Sequence, residues 1–304
     1  MVKIGFVGSG RIGQTIIAST LMDGFIDDSV IFDIAPEVPQ RFADEMRHSL
    51  AEARFNTRVL GTNDINDVKD CEVIVISAGK PRKADQDRTS VFAENAKVMM
   101  DFASKLPKSN PNALFLMVTN PVDMMASIFM KYSGRYTISS GAQVEIMRMR
   151  SFIADKLGVP VDSVNGFTGG EHGVNLSIFW DTVTIYGKPF DEVAKGKLTC
   201  DEVTTYVKGV AAKIIGTLGG TSWGPANSMK DIIRAYVRNE NKVMSIAPPM
   251  EYKGEIIHIS RPTIVGNPIG PTLEASLSEE DRRDIASAAD RVYNDYKELL
   301  KTLG

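Results

Sequence analysis

One histidine is framed by glycines, in Gly169-Gly170-Glu171-His172-Gly173, a turn from which an imidazole could reach a ligand. Its ordinary pKa lies near neutrality, so such a group can give and take back a proton reversibly. The chain has three histidines. His48 falls off the apolar face of a polar helix and His258 falls in an alternating strand, and both read as structural. Glu145 and Arg148 are three apart, which puts both side chains on one face of a helix. They suit either a surface ion pair or an acid beside a cation that grips a carboxylate through two hydrogen bonds. Arg82 and Arg88 follow the apolar run Val73-Ile74-Val75-Ile76 and read either as solvated charges or as ligand cations at the sheet edge. Asn120, before Pro121, either caps a helix or meets a ligand.

A second chemistry lies at the start of the chain. Gly8-Ser9-Gly10-Arg11-Ile12-Gly13 matches G-x-G-x-x-G, follows an apolar strand and opens a helix. Gly8 would make the tight turn, Gly10 would admit a pyrophosphate, and Gly13 would let helix and strand approach. The helix N-terminus would add amides and partial positive charge for phosphates. Asp33 stands twenty residues after Gly13, where it would bond ribose hydroxyls and repel a 2′-phosphate, favouring NAD over NADP.

These residues need a scaffold. Apolar runs at 3–7, 29–33, 73–76, 113–118 and 136–139 read as strands, alternating with helices at 12–23, 40–53 and 91–106, the last stopping before Pro107. That alternation predicts a doubly wound parallel sheet with helices on both faces, residues 1–142. From 143 to 304 the pattern becomes mixed α+β. A helix is expected at 145–157, strands near 164–168 and 176–186, and helices near 201–217 and 226–239. Strands follow near 242–247, 255–259 and 261–265. The last helix is predicted to start at an N-cap, Ser278, with Ile285, Ala289, Val292, Tyr296 and Leu299 as its buried stripe.

The 304 residues are 43% hydrophobic and 24% charged, with a formal net charge of −3. This is the balance of a folded globular protein and offers no electrostatic case for nucleic acid or an anionic membrane. No apolar run is long enough for a membrane helix, and Val2–Val7 lacks a signal peptide's pattern, so a cytoplasmic location is expected. Cys71 and Cys200 form no ligand cluster, and no metal site is expected.

Taken in order, the glycine turn, Ala78-Gly79-Lys80-Pro81-Arg82-Lys83 with Arg88, Val118-Thr119-Asn120-Pro121-Val122-Asp123, Glu145-Ile146-Met147-Arg148 and the His172 turn resemble the lactate/malate dehydrogenase superfamily, most of all its archaeal malate branch. The resemblance spans essentially the whole chain. It implies NAD-dependent hydride transfer between (S)-malate and oxaloacetate, as in the tricarboxylic acid cycle, with lactate or another 2-hydroxy acid as the alternative. It makes His172 the acid–base, Glu145 its orienting acid, Arg148 the grip on the substrate carboxylate and Arg88 the group that polarises the carbonyl. Arg82 would read the far end of the substrate, where lactate enzymes typically carry glutamine. Asn120, often in a cis Asn–Pro bond, would meet substrate and nicotinamide, and Thr221 would line the pocket, while packing accounts equally well for Trp223. Gly8, Gly10, Arg11, Ile12, Gly13, Asp33, Ala78, Gly79, Asn95, Val118 and Asn120 fall to the cofactor, NAD. A homo-oligomer, dimer or tetramer, is implied. Two departures stand out: the family usually has Asp at the position of Glu145, and Lys83-Ala84-Asp85-Gln86-Asp87 lacks the usual Pro-Gly. A catalytically silent NAD-binding protein is the rival of a different class.

Overall fold

The computed structural model describes residues 1–80, 88–173 and 175–303, with 88–90 as backbone only. The first half runs β1 (Lys3–Val7), α1 (Arg11–Leu21), β2 (Asp28–Phe32), α2 (Val38–Glu52), β3 (Arg58–Thr62) and β4 (Val73–Ile76). It continues through α3 (Arg88–Ser109), β5 (Leu114–Met117), α4 (Val122–Ser133) and β6 (Thr137–Ser139). The six strands form one parallel sheet in the order β3-β2-β1-β4-β5-β6. The order reverses between β1 and β4, and in such sheets ligands bind outside the carboxyl ends of the strands at that point. β4 and β5 are buried at every position, which is why they read as unbroken apolar runs rather than alternating ones.

The second half begins with α5 (Gln143–Leu157), β7 (Val164–Gly170), β8 (Leu176–Ile185), β9 (Lys188–Pro189) and α6 (Phe190–Ala194). Then come α7 (Cys200–Leu218), α8 (Trp223–Val237), β10 (Lys242–Ile246), β11 (Pro249–Tyr252), β12 (Glu255–His258), β13 (Arg261–Val265) and α9 (Glu279–Leu303). Its sheets are small and antiparallel: β7-β8-β9, β10-β13 and β11-β12. The two halves share cores. Ile285, Ala289, Val292, Tyr296 and Leu299 of α9 pack in one cluster with Val7, Phe32, Ile76 and Phe115 of the parallel sheet. Among the described residues no helix is long and apolar enough to cross a membrane.

The structure departs from the sequence expectations at several elements. β3 and β11 were not anticipated. β3 is an edge strand whose Leu60 faces solvent, so it lacks a clear apolar signature. Pro107 lies inside α3 rather than ending it. In the last turn proline forfeits only one ladder bond, the one to the Ala103 carbonyl, and Asn110 Nδ2 caps the Leu106 carbonyl at the helix end at 2.9 Å. α8 starts at Trp223, three residues early, and Trp223 is 67% exposed, so packing within the chain does not account for it.

Candidate active site

The glycine turn is built as its spacing requires. Gly8 has φ +105°, and a Cβ there would lie 2.5 Å from the Ala78 nitrogen. At Gly13 a Cβ would come within 2.1 Å of the Gly8 carbonyl oxygen, so α1 can lie against the turn only with glycine. Nothing lies within 4 Å of where a Cβ of Gly10 would project, and no side chain caps α1. Space and unclaimed helix amides together form a phosphate cradle, which fits a dinucleotide. Asp33 stands at the C-terminal end of β2. Its Oδ2 accepts from the Ser9 N–H at 2.6 Å and the Ser9 hydroxyl at 3.0 Å, and its Oδ1 accepts from Ala35 N–H at 2.9 Å.

β4 and β5 end beside this turn. Ser77 and Ala78 both donate to the Val7 carbonyl, and Thr119 Oγ1 donates to the Ala78 carbonyl at 2.8 Å. Gly79 packs against Thr119 and Asn95 so closely that a Cβ would sit 2.5 Å from Thr119 Cγ2. Ile12 and Val118 are half-buried and pack against the core cluster on this side of the sheet. Arg11 is exposed at the start of α1 and reaches over Gly219 and Gly220, so the nucleotide turn meets the α7–α8 corner that carries Thr221. Asn95, expected at the cofactor, stands behind these loops. It is 2% exposed, its Oδ1 accepts from Lys80 N–H at 2.8 Å, and its Nδ2 donates to the carbonyls of Asn120 (3.0 Å) and Lys80 (3.3 Å). Its amide is committed to backbone, and it ties two ligand loops together.

The proton-handling residues converge from α4, α5 and the β7–β8 turn. Glu145, in the first turn of α5, is fully buried. One carboxylate oxygen lies 3.2 Å from His172 Nδ1, and the other accepts from Arg148 Nη1 at 3.0 Å. The surface ion pair is therefore excluded. The longer glutamate spans both partners at once, one oxygen each, which is how the extra methylene is absorbed. Asn120 forms a cis bond to Pro121 and makes no side-chain cap for α4. Asn120, Asp123, Glu171 and His172 line one cavity of about 40 Å³, with Val292 and Asp295 of α9 as another wall.

Burial alone would lower the His172 pKa, but the charge and hydrogen bond of Glu145, and then the charge of Asp123, outweigh it and raise it to about 9. Burial pushes the Glu145 carboxyl up, yet His172 and Arg148 hold it below its ordinary value. By contrast, burial pulls His258 down to about 4, and it is pinned between Ser127 Oγ and the Thr137 carbonyl at 2.9 Å each. His48 is exposed on α2.

Arg82 lies outside the described residues, and the structure describes Arg88 as the first residue of α3 without its side chain. Asp123 and Ser139 were missed as site residues. The signal for Asp123 was present: a lone carboxylate in the apolar opening turns of α4, VDMMA.

Two family models cover the chain. The lactate/malate dehydrogenase NAD binding domain matches residues 2–138, and the alpha/beta C-terminal domain of the same family matches residues 143–302. The chain belongs to the lactate/malate dehydrogenase family. It is 50% identical over 303 residues to the malate dehydrogenase of Sulfolobus acidocaldarius, covering 100% of this chain and 98% of that one. It is 52% identical to the malate dehydrogenase of Sulfurisphaera tokodaii with the same coverage. Among solved structures, malate dehydrogenase from Plasmodium falciparum in complex with NADH superposes with a TM-score of 0.89 at 25% identity, over 100% of both chains. As a family member the chain is an NAD-dependent dehydrogenase whose first half is a nucleotide-binding domain.

Proposed function

We propose that this chain interconverts (S)-malate and oxaloacetate with NAD as cofactor. The observation that carries the reading is the double grip of Glu145, which sets a proton-holding imidazole beside a carboxylate-binding guanidinium. The names of its relatives at 50% and 52% identity support malate as the substrate.

Bound NADH would supply the hydride at the carbonyl carbon. With Nδ1 turned to Glu145, His172 presents Nε2 to the carbonyl oxygen and gives its proton there as the bond is reduced. The imidazolium's raised pKa keeps it loaded at neutral pH, and Glu145 stabilises it. Arg148 holds the carboxylate next to the carbonyl. Asn120 meets both the substrate and the nicotinamide. Thr221 closes the pocket from the α7–α8 corner. Arg88 steadies the developing alkoxide, and Arg82 pairs with the distal carboxylate that only a dicarboxylic substrate carries. The nucleotide is held by Gly8, Gly10, Arg11, Ile12, Gly13, Asp33, Ala78, Gly79, Asn95, Val118 and Asn120.

The division into residues 1–142 for nucleotide and 143–304 for substrate, a homodimeric or homotetrameric assembly, a cytoplasmic location and a place in the tricarboxylic acid cycle complete the reading. Spectrophotometry of the purified chain tests it: NADH should be consumed with oxaloacetate, and NAD reduced with (S)-malate. Stoichiometric NADH binding without turnover of any keto acid would make the chain a silent nucleotide binder and overturn the reading.

A further inference from the structure

Asp123 is 4% exposed, in the first turn of α4, and is not spent on the helix start, which makes no side-chain cap. Its Oδ1 accepts from the Ser139 hydroxyl at 2.5 Å, and its Oδ2 accepts from the backbone N–H of His172 at 3.3 Å. Ser139 is itself fixed, with its own N–H and carbonyl paired to Ala247. A rigid chain thus runs from the end of the parallel sheet, through one carboxylate, to the peptide of the proton-handling residue. A buried carboxylate with only two hydrogen bonds is costly unless a neighbouring positive charge uses it.

We propose that Asp123 is a positioning residue for His172, clamping its peptide N–H while Glu145 clamps its ring, so that two buried carboxylates from two helices jointly stabilise the imidazolium. The proposal rests on His172 being the proton carrier. Other charges face the imidazole too. Glu145 and Arg148 come from α5, and Glu171 shares its turn and lies 3.8 Å from Arg291 of α9. Asp295 of α9 lines the shared cavity. Arg148 opposes the imidazolium, so a second carboxylate compensates for the guanidinium that the substrate requires. Burial raises the Asp123 carboxyl to about 6, with the Ser139 bond and the His172 charge limiting the rise, so the clamp is anionic at neutral pH and is discharged in mild acid.

The three histidines make a direct test possible. Imidazole nitrogen resonances would be followed against pH in the NADH-bound enzyme. The resonance that disappears in His172→Asn is that of His172, and it should titrate near 9. Asp123→Asn should lower that pKa by about one unit, as loss of a nearby opposite charge does. It should also move the alkaline limb of kcat/KM for keto-acid reduction down by the same amount, a loss of about tenfold above it, with KM for NADH unchanged. Asp123→Glu, which keeps the charge, should recover the pKa. A folded Asp123→Asn enzyme with an unmoved His172 pKa overturns the proposal, whether or not its rate falls. If Asp123→Asn fails to fold, Ser139→Ala serves instead. Without that bond the anion is harder to hold, and the His172 pKa should fall in the same direction; no shift there also overturns the proposal. Turnover retained in His172→Asn would overturn the proton-carrier reading itself, while the resonance would still report whether Asp123 acts on His172.

Discussion

The Ser9 N–H meets Asp33 Oδ2 at 2.6 Å, which welds the phosphate turn after β1 to the acid at the end of β2. The carboxylate is locked by Ser9 and Ala35, so it cannot swing aside for a larger ligand. A 2′-phosphate would meet a fixed like charge, and neither Ile34, Ala35, Pro36 nor Glu37 offers a cation. NAD should be preferred over NADP by at least about tenfold in kcat/KM, which takes only about 1.4 kcal/mol. Equal or better use of NADPH would show that Arg11 or Arg41 reaches the phosphate.

His172→Asn should abolish turnover while leaving NADH affinity nearly unchanged, because the lost group handles the proton and not the nucleotide. General acid–base catalysis is worth about 10²–10⁴-fold, and the loss in kcat should be at least that. Fluorescence titration with NADH and steady-state rates on the same preparation separate the two. Retention of most of the activity would assign the proton to another group.

The His172–Glu145 contact limits stability at both ends of the pH scale and keto-acid reduction at the alkaline end. His172 has a folded pKa of about 9, above its ordinary 6.5, so its contribution to stability is complete below about 6.5 and is lost as pH rises through about 9. Tm should fall across that window in the wild type and fall less in His172→Asn. Glu145 is shifted downward, so its contribution is present above its ordinary value and is lost as pH falls through the lower folded one. Glu145→Gln removes the charge that loads the imidazolium, and should reduce kcat and move the alkaline limb of the reduction profile to lower pH. A fully active Glu145→Gln enzyme with an unshifted profile would show that the orienting role does not belong to this glutamate.

Local chemistry was the legible part of the sequence. Gly8, Gly13 and Asp33 announce their positions because only their side chains, or lack of them, permit the turn. The α9 stripe from Ile285 to Leu299 is legible because it repeats at helical period over several turns. What depended on partners distant in the chain was hidden. Asn95 ties loops 15 and 25 residues away together, and nothing local announces that. Asp123 acts on a residue 49 positions later, and no spacing rule carries that. β3 was missed because an edge strand needs an apolar match on one side only, and Trp223 was misjudged because bulk alone says nothing of exposure.

The choice of oxaloacetate over pyruvate tests the central claim most directly. Oxaloacetate carries a second carboxylate, and a guanidinium can bond it through two parallel charge-assisted bonds. A site built for that group is left with a buried, unpaired cation when pyruvate binds, and such sites can discriminate by about 10⁴–10⁵. The measurement is kcat/KM for both keto acids with NADH, in the wild type and in Arg82→Gln. The wild type should favour oxaloacetate by at least about 10³, a factor of ten below that range. Arg82→Gln should lower the oxaloacetate value steeply and leave pyruvate unchanged or improved. A wild type that prefers pyruvate, or an Arg82→Gln enzyme that loses both substrates equally, would contradict the account and return Arg82 to the status of a solvated loop charge.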